Sequence, residues 1–209
     1  MKLIAICVVA LLLAGTAVAS SKLVSPTVVR NGGAELGMGA SDTSSVVVPP
    51  GWTTTGKFTA VQYAAGSGFP DAALSQAIGG GNNFFAGGPG SPSSSASQMV
   101  KIPAAWASAV SRGRVKATLS ATLGGFGSQR DYATATVLFL NKAGQKLGTL
   151  RVGPVTSAQR GGLTKLIAVK KTARVPAKAR SVKIVVATKR FEGSYNDGYA
   201  DNVSLTFVR

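Results

Sequence analysis

The feature that most constrains this chain is an alternation of apolar and polar residues with a period of two. In residues 114–123, RVKATLSATL, every second side chain from Val115 to Leu123 is apolar, and the residues between are Arg, Lys, Thr or Ser. Successive side chains of a strand point to opposite faces, so this segment is predicted to be a strand with one face in a core and the other in water. Helical periodicity is confined to one or two turns near residues 104–110. The chain is therefore predicted to be all-β.

Similar strand signals recur along the sequence, separated by Gly, Pro, Asn and Ser. They lie at residues 27–30, 45–48, 57–63, 83–86, 98–102, 114–123, 134–141, 146–152, 163–169, 182–188 and 202–208. Short strands at this spacing are typical of antiparallel sandwiches and barrels. Their even spread gives no domain boundary, so residues 20–209 are predicted to form a single β-sandwich domain.

Two stretches of low complexity interrupt the pattern. Residues 79–90 are rich in glycine and residues 91–97 are rich in serine. Such composition is typical of flexible loops and linkers, which is the expectation here. The alternative is a long binding loop at one end of the sandwich.

Residues 1–19 have the pattern of a secretory signal peptide. Lys2 supplies a positive charge, residues 3–14 form an apolar core too short to span a bilayer, and residues 17–19, Ala-Val-Ala, form a small-x-small cleavage site. The alternative is an uncleaved membrane anchor. No later stretch approaches 18 apolar residues, the length of a spanning helix. We therefore expect a secreted protein, extracellular or periplasmic, with no transmembrane segment in its mature chain.

The composition excludes several kinds of chemistry. The sequence contains no histidine, and its one cysteine, Cys7, lies in the predicted leader. The mature chain therefore cannot build a Ser-His-Asp or Cys-His catalytic site, a disulfide or a zinc site of the usual kind. A metal would need oxygen ligands, which favours calcium or magnesium.

The few carboxylates concentrate near the two ends of the mature chain. The seven acids are Glu35, Asp42, Asp71, Asp131, Glu192, Asp197 and Asp201. In a sandwich whose first and last strands lie side by side, the acids of the two ends would meet. Carboxylates brought together repel each other unless a cation bridges them, and oxygen ligands suit calcium. The alternative is that these acids pair with the abundant surface Lys and Arg.

Two segments carry a resemblance to a known family. Residues 31–35, NGGAE, followed by Pro-Gly-Trp at 50–52, resemble the opening of galactose-binding-like jelly rolls, and residues 195–205, YNDGYADNVSL, resemble their final strand. The resemblance spans about residues 28–208 and implies a jelly-roll β-sandwich similar to secreted carbohydrate-binding modules. Several such domains carry a structural calcium between the first and last strands. The implied ligands are Glu35 and Asp201, with a carbonyl from Asn31 or its neighbours.

A sugar site is predicted from aromatic and amide side chains. Carbohydrate sites stack sugar rings on exposed aromatic faces and add a few polar contacts. Tyr195 is followed directly by Asn196 near the end of the chain, and Tyr132 lies in another expected loop. Tyr132, Tyr195 and Asn196 are therefore the predicted sugar contacts.

The chain is strongly basic, with 23 Lys and Arg against 7 Asp and Glu and a formal charge of +16. A basic loop or hairpin connection is predicted from Lys170, Lys171, Arg174, Lys178 and Arg180. Such a patch attracts anionic polymers, for example acidic polysaccharide, lipopolysaccharide or extracellular DNA, although net charge also serves solubility alone. No motif for sequence-specific nucleic-acid binding is present.

These observations favour a protein that is not an enzyme. Without histidine a hydrolase would need a pair of carboxylates, and only Asp197 with Asp201 or Glu192 offers one. The predicted function is secreted, non-catalytic binding of extracellular or cell-surface carbohydrate, with a structural calcium (Ca²⁺) site. The alternative is a basic surface or matrix protein that binds anionic polymers through charge alone.

Overall fold

The computed structural model describes residues 23–63, 65–66 and 68–209. The predicted signal peptide, residues 1–19, and its cleavage site lie outside the described residues. The described chain forms ten strands and three helices. In chain order these are β1 Thr53–Thr55, β2 Thr59–Gln62, α1 Ala72–Ile78, β3 Asn83–Pro89, β4 Ser93–Lys101, α2 Ala104–Ser111, β5 Lys116–Gly125, β6 Tyr132–Leu140, β7 Lys146–Val152, α3 Ser157–Arg160, β8 Lys165–Arg174, β9 Ser181–Lys189 and β10 Tyr195–Val208.

The strands form two antiparallel sheets of five strands each. The front sheet has the order β1-β4-β9-β6-β7, and the back sheet has the order β2-β3-β10-β5-β8. The pairs are nested: β6 pairs with β7, β5 with β8, β4 with β9 and β3 with β10, and successive pairs alternate between the sheets. This is the strand order of a jelly roll. The predicted antiparallel jelly-roll β-sandwich is confirmed.

The core lies between the two sheets. The apolar side chains of β5 face inward, as the alternation predicted, and Val115, Leu119 and Leu123 have no exposed surface. Opposite them, Val137 of β6 and Ile184 of β9 are equally buried. Burial of a large aliphatic side chain stabilises a fold by about 2 kcal/mol, so this layer supplies the main driving force for folding.

The loops predicted for residues 79–97 are largely wrong, whereas the strand predicted at residues 83–86 is confirmed as part of β3. The glycine-rich stretch contains β3 and the serine-rich stretch contains most of β4. The glycines are needed for close approach between neighbouring segments, because a Cβ atom on Gly87 would lie 2.1 Å from Cγ of Asn196. In β4 the inward residues Ser94 and Ala96 are small enough to pack beneath the back sheet. Small size here serves packing, and not flexibility.

Two other predicted strands are absent from the described sheets. Residues 27–30 follow β10 without forming a regular ladder, although the Val28 amide donates to the Leu205 carbonyl at 2.9 Å. Residues 45–48 make a single such contact, from the Ala60 amide to the Val47 carbonyl. Val29 is buried, and Val28 and Val47 are partly buried against the sheets, so short apolar runs outside a regular ladder produce the same sequence signal as a strand.

Helix α1 was not predicted. It begins where the Asp71 carboxylate accepts a hydrogen bond from the Leu74 amide, and it ends at Gly79, whose φ of 64° is left-handed. Helix α2 confirms the helical turns expected near residue 104. Within the residues the structure describes, no helix is long and apolar enough to cross a membrane.

Candidate functional site

The two ends of the described chain lie side by side, as predicted. The segment from Ser25 to Gly32 runs along β10, where the Ser25 amide donates to Phe207 and the Val203 amide donates to Gly32. The chain then turns back sharply through Asn31 and Ala34, which have positive φ values of 49° and 60°. This turn carries Glu35 towards the middle of β10.

Glu35 and Asp201 come together at this turn. A Cβ atom placed on Gly33 would lie 3.2 Å from Asp201 Oδ1, 3.7 Å from Glu35 Cγ and 3.9 Å from Asn202 Oδ1. These three side chains therefore surround the same small space. Within the described part of the chain no third acid joins the two carboxylates.

Each carboxylate is also tied to its surroundings. Glu35 accepts hydrogen bonds from the Asn82 and Asn83 amides, both at 2.9 Å. Asp201 accepts from the Tyr63 hydroxyl at 2.6 Å and from the Asn202 amide at 2.6 Å. Every carboxylate oxygen thus has one donor, and each keeps a second lone pair.

Burial is the main influence on the ionisation of Asp201. Burial raises the pKa of this carboxyl, the hydrogen bonds from Tyr63 and Asn202 oppose the shift, and the negative charge of Glu35 adds to it, so that the pKa changes from 3.8 to about 7. Burial, together with the charge of Asp201, also raises the pKa of the Tyr63 hydroxyl. A cation bound beside Asp201 would favour its ionised form and offset the unfavourable effect of burial.

A groove of about 890 Å³ opens beside this carboxylate pair. Glu35, Gln62, Gln76 and Asn82 line it, and the side chain of Met38, which is 79% exposed, borders it. Helix α1 and the segment from Glu35 to Met38 form its walls. The groove combines hydrogen-bonding side chains with apolar surface.

Asn31 does not contribute to this site as predicted. Its carbonyl accepts from Trp52 Nε1 at 3.0 Å and from the Ala34 amide at 3.3 Å. Its side chain accepts from the Leu36 amide and donates to the Pro50 carbonyl. Both lone pairs of the carbonyl are used in holding the turn, so the structure gives the Asn31 backbone a positioning role and does not leave its carbonyl free for a metal.

The predicted sugar contacts separate into buried and exposed residues. Tyr195 and Asn196 lie in β10 and not in a loop, and they are buried, with 8% and 0% exposure. The Tyr195 ring packs against Phe69 at 5.2 Å, and the Asn196 amide donates to the Ser91 carbonyl. Neither presents a surface to a ligand. Tyr132, at the start of β6, is partly exposed.

Tyr132 has an aromatic neighbour that sequence reasoning missed. Phe191 is 49% exposed, and its ring lies 5.8 Å from that of Tyr132 with 40° between the planes. Arg130 Cζ lies 5.6 Å and Lys189 Nζ 6.0 Å from the centre of the Phe191 ring. We call Tyr132, Phe191, Arg130 and Lys189 the aromatic patch. The sequence signal was a phenylalanine placed between Arg190 and Glu192, an unusual context for a core residue.

The aromatic patch lies at one end of the outer face of the front sheet. Strand register places Lys189 between Ser93 and Tyr132 on this face. The next row on this face is Ser95, Ala187 and Thr134, and Ser95 Oγ lies 2.8 Å from Thr55 Oγ1. The face therefore places the exposed rings beside a mixture of hydroxyl and small apolar side chains.

A buried acid holds the aromatic patch in place. Asp131 has no exposed surface, and its carboxylate accepts from the amides of Phe191 at 2.6 Å, Glu192 at 3.1 Å and Asp197 at 3.0 Å. Hydrogen bonds from amides to a buried carboxylate are strong. Asp131 thus fixes the segment that carries Phe191 against the strand that carries Tyr132.

Comparison with known proteins adds structural neighbours. No protein-family model and no curated protein sequence matches the chain. The TmCBM61 module, solved in complex with β-1,4-galactotriose, is 17% identical with a TM-score of 0.48, over 87% of this chain and 98% of that one. The CBM22-1 xylan-binding domain of Paenibacillus barcinonensis Xyn10C is 10% identical with a TM-score of 0.44, over 80% of this chain and 91% of that one.

A larger protein also shows the similarity. Tailspike protein 4 of bacteriophage CBA120 is 15% identical with a TM-score of 0.45, and the match covers 86% of this chain but 21% of the tailspike chain. This chain therefore spans about a fifth of that protein. The jelly-roll assignment itself follows from the strand order of the two sheets described above.

The structure divides the predicted basic patch. Lys170 and Arg174 lie on the outer face of the back sheet, whereas Lys171, between them on β8, points to the opposite side. Lys178 and Arg180 follow β8 in the connection to β9, and Arg180 donates to the Ala177 and Ala179 carbonyls. The prediction of one basic loop is wrong, because β8 continues to Arg174.

The acids that the sequence offered for catalysis are engaged elsewhere. Asp197 accepts a hydrogen bond from the Tyr199 hydroxyl in the interior, and Asp201 accepts from Tyr63. Glu192 is partly exposed and forms an ion pair with Arg130 at 2.9 Å. Each acid has a different structural partner, and this arrangement does not pair two of them across a common groove.

Proposed function

We propose that this protein is a secreted, non-catalytic carbohydrate-binding protein and that the aromatic patch contacts the sugar. The observation that carries the proposal is the exposed ring of Phe191 beside Tyr132, at the end of a sheet face that also carries serine and threonine side chains. The C–H face of a sugar packs on such a ring, and hydrogen bonds to its hydroxyl groups fix the orientation.

The groups around the ring supply those hydrogen bonds. Arg130 and Lys189 donate, and the Glu192 carboxylate, held at 2.9 Å from Arg130, accepts. Because Asp131 anchors the segment from Phe191 to Asp197, little conformational entropy is lost when a ligand binds. A preorganised patch of this kind binds a sugar without altering it.

The variant Phe191→Ala is expected to weaken binding to a neutral polysaccharide about tenfold, through loss of ring contact and stacking. Its melting temperature should change little because the ring is half exposed. The measurement is calorimetric titration with oligosaccharides chosen from a screen of neutral glycans, at 1 M NaCl to suppress charge effects.

Met99→Ala is the matched control for this variant. Met99 is an apolar side chain, 59% exposed, on the outer face of the front sheet but remote in register from Phe191. It should bind as the native protein does, and Phe191→Tyr should retain binding. Equal affinities of Phe191→Ala and the native chain would disprove a sugar contact at the aromatic patch.

We further propose that calcium binds between Glu35 and Asp201. The oxygen-only donor set fits calcium, because two carboxylates and the Asn202 side-chain oxygen surround Gly33. Bound calcium would favour the ionised form of the Asp201 carboxyl, whose pKa is raised mainly by burial. Glu35 and Asp201 would thereby link the turn after the first segment to the last strand.

Saturating calcium is expected to raise the melting temperature by about 5 °C or more, since a ligand that binds only the folded state stabilises it. Glu35→Gln should abolish this increase, whereas Glu192→Gln, at an exposed acid far from the turn, should keep it. Differential scanning fluorimetry with calcium, magnesium and a chelator makes the measurement. An unchanged melting temperature in the native chain would refute the calcium site.

The alternative function is binding of anionic polymers through charge. It is supported by the formal charge of +16 and by the finding that, among the described residues, Arg130 and Glu192 form the one ion pair. Binding of this kind weakens steeply with salt. Affinity at 1 M NaCl therefore separates the two functions.

A further inference from the structure

We propose that the outer face of the back sheet is a second binding site, built for an extended acidic polysaccharide. We call its basic residues the cationic face, and they are Arg114, Lys116, Lys170, Arg174 and Arg209. This site goes beyond the proposed sugar contact, since it lies on the opposite sheet from the aromatic patch.

Strand register gathers residues that are distant in sequence onto this face. Val208, Lys116 and Arg174 lie in one row across β10, β5 and β8. The next row is Thr206, Thr118 and Thr172, and the row after it is Ser204, Ser120 and Lys170. Cations therefore alternate with a block of hydroxyl side chains along the strand direction.

The face is concave at two places along β5. A depression of about 270 Å³ is lined by Arg114, Lys116, Thr118 and Arg209, with Thr172 and Val208. A second depression of about 420 Å³ is lined by Ser120, Thr122, Lys170 and Asn202 among others. From Lys116 to Thr122 a strand extends roughly 20 Å, so the two depressions suit a linear chain of several sugar units.

Few acids lie near the cations of this face. The sequences of β5 and β8 contain neither Asp nor Glu, and Asp201 of β10, in register with Thr122 near the far end of β5, is fully buried. Arg174 is oriented by a hydrogen bond from its Nη1 to the Gly113 carbonyl at 3.0 Å, and Arg209 lies over the Trp106 ring at 5.8 Å. These contacts hold the guanidinium groups in place and leave their charge available to an anion.

The polar groups favour a polysaccharide over a nucleic acid. Proteins that bind single-stranded nucleic acid stack its bases on exposed aromatic rings. Among the described residues no aromatic side chain lines either depression, and Trp106, which lies under Arg209, belongs to the core, with 6% exposure. The hydroxyl groups of Thr118 and Thr172, 2.8 Å apart, suit instead the hydroxyl, carboxylate or sulfate oxygens of an acidic sugar.

The test compares two double variants with the same loss of charge. Lys116→Gln with Arg174→Gln removes two cations from the cationic face, and Lys142→Gln with Lys146→Gln removes two from the exposed connection where β6 passes into β7. The probes are heparin hexasaccharide, polygalacturonate fragments, neutral dextran and a single-stranded oligonucleotide. Fluorescence anisotropy at several salt concentrations gives the affinities, and thermal melting checks folding.

The cationic-face variant is expected to lose about tenfold in affinity for the two acidic saccharides. The slope of the logarithm of its affinity against the logarithm of the salt concentration should correspond to roughly two fewer released ions. The control variant, Lys142→Gln with Lys146→Gln, should lose at most about twofold in affinity, in keeping with a nonspecific charge effect. Met99→Ala, on the outer face of the front sheet, should bind these saccharides normally. Binding at the aromatic patch is followed separately with neutral glycans, so failure of that patch would leave this result intact. Equal losses in both double variants, no loss in either, or tighter binding of the oligonucleotide would each overturn the proposal.

Discussion

Replacing Arg160 with methionine is expected to lower the free energy of unfolding by about 3–5 kcal/mol. Arg160 is 2% exposed, and its guanidinium donates to the carbonyls of Phe126, Gly127, Gln129, Val155 and Leu163. Methionine fills much of the same volume but donates nothing, so several buried carbonyls lose a donor. Burial lowers the pKa of Arg160, and the cation is retained because these carbonyls solvate it.

The measurement is urea unfolding followed by tryptophan fluorescence, with Arg151→Met as the control. Arg151 is an exposed arginine on β7, so its replacement should change the free energy of unfolding by less than about 0.5 kcal/mol. Arg160→Met should also weaken glycan binding, because Arg160 holds the loop that leads to Tyr132. Equal stabilities of the two variants would show that the carbonyl contacts contribute nothing measurable.

The second large effect is a dependence of stability on pH that comes from Asp197. Burial raises the pKa of its carboxyl from 3.8 to about 6, the charge of Asp131 adds to the increase, and the hydrogen bond from Tyr199 opposes it. The folded state therefore binds the proton more tightly than the unfolded state. Its contribution to stability is fully present below pH 4 and is lost as the pH rises to about 6.

Asp197→Asn should remove this loss, since asparagine is neutral and its side-chain oxygen can still accept from Tyr199. Relative to the native chain, the variant should be equally stable near pH 4 and more stable at pH 8 by up to about 3 kcal/mol. Urea unfolding across this pH range makes the measurement. Glu192→Gln is a control in which stability changes with pH in the opposite direction. Hydrogen bonds from Arg130 lower the pKa of Glu192, so this carboxylate stabilises the folded state at higher pH. If the free energies of unfolding of Asp197→Asn and the native chain differ by the same amount at every pH, the pH dependence does not come from Asp197.

Much of the fold was predictable because strand periodicity is a local property. The alternation from Val115 to Leu123 correctly identified the buried face of β5, and the acids at the two ends of the chain correctly indicated that those ends meet. Predictions failed where composition has two physical causes. A glycine in the sequence is consistent with a flexible loop and also with two strands that approach closely. The structure distinguishes the two at Gly87, because a Cβ atom there would lie only 2.1 Å from Cγ of Asn196.

The candidate sites depended more strongly on three-dimensional structure. The sequence assigned Tyr132, Tyr195 and Asn196 to loops, since a Tyr-Asn pair near glycine is typical of turns, whereas Tyr132 begins β6 and the other two lie in β10. The long β10 continues through that segment because Asp131 satisfies the Asp197 amide from outside the ladder. Phe191 was missed because its contacts with Arg130 and Lys189, which lie over its ring, are visible only in the folded structure.

The sequence alone determined the all-β class, the antiparallel sandwich, the exclusion of histidine and thiol chemistry and the strong positive charge, because each depends on residue identity or on local alternation. The tertiary structure decided which side chains share a surface. Jelly-roll pairing joins Lys116 to Arg174 and Tyr132 to Lys189 across dozens of residues. Such contacts are set by strand register, which is fixed only when the two sheets pack together and bury their apolar faces.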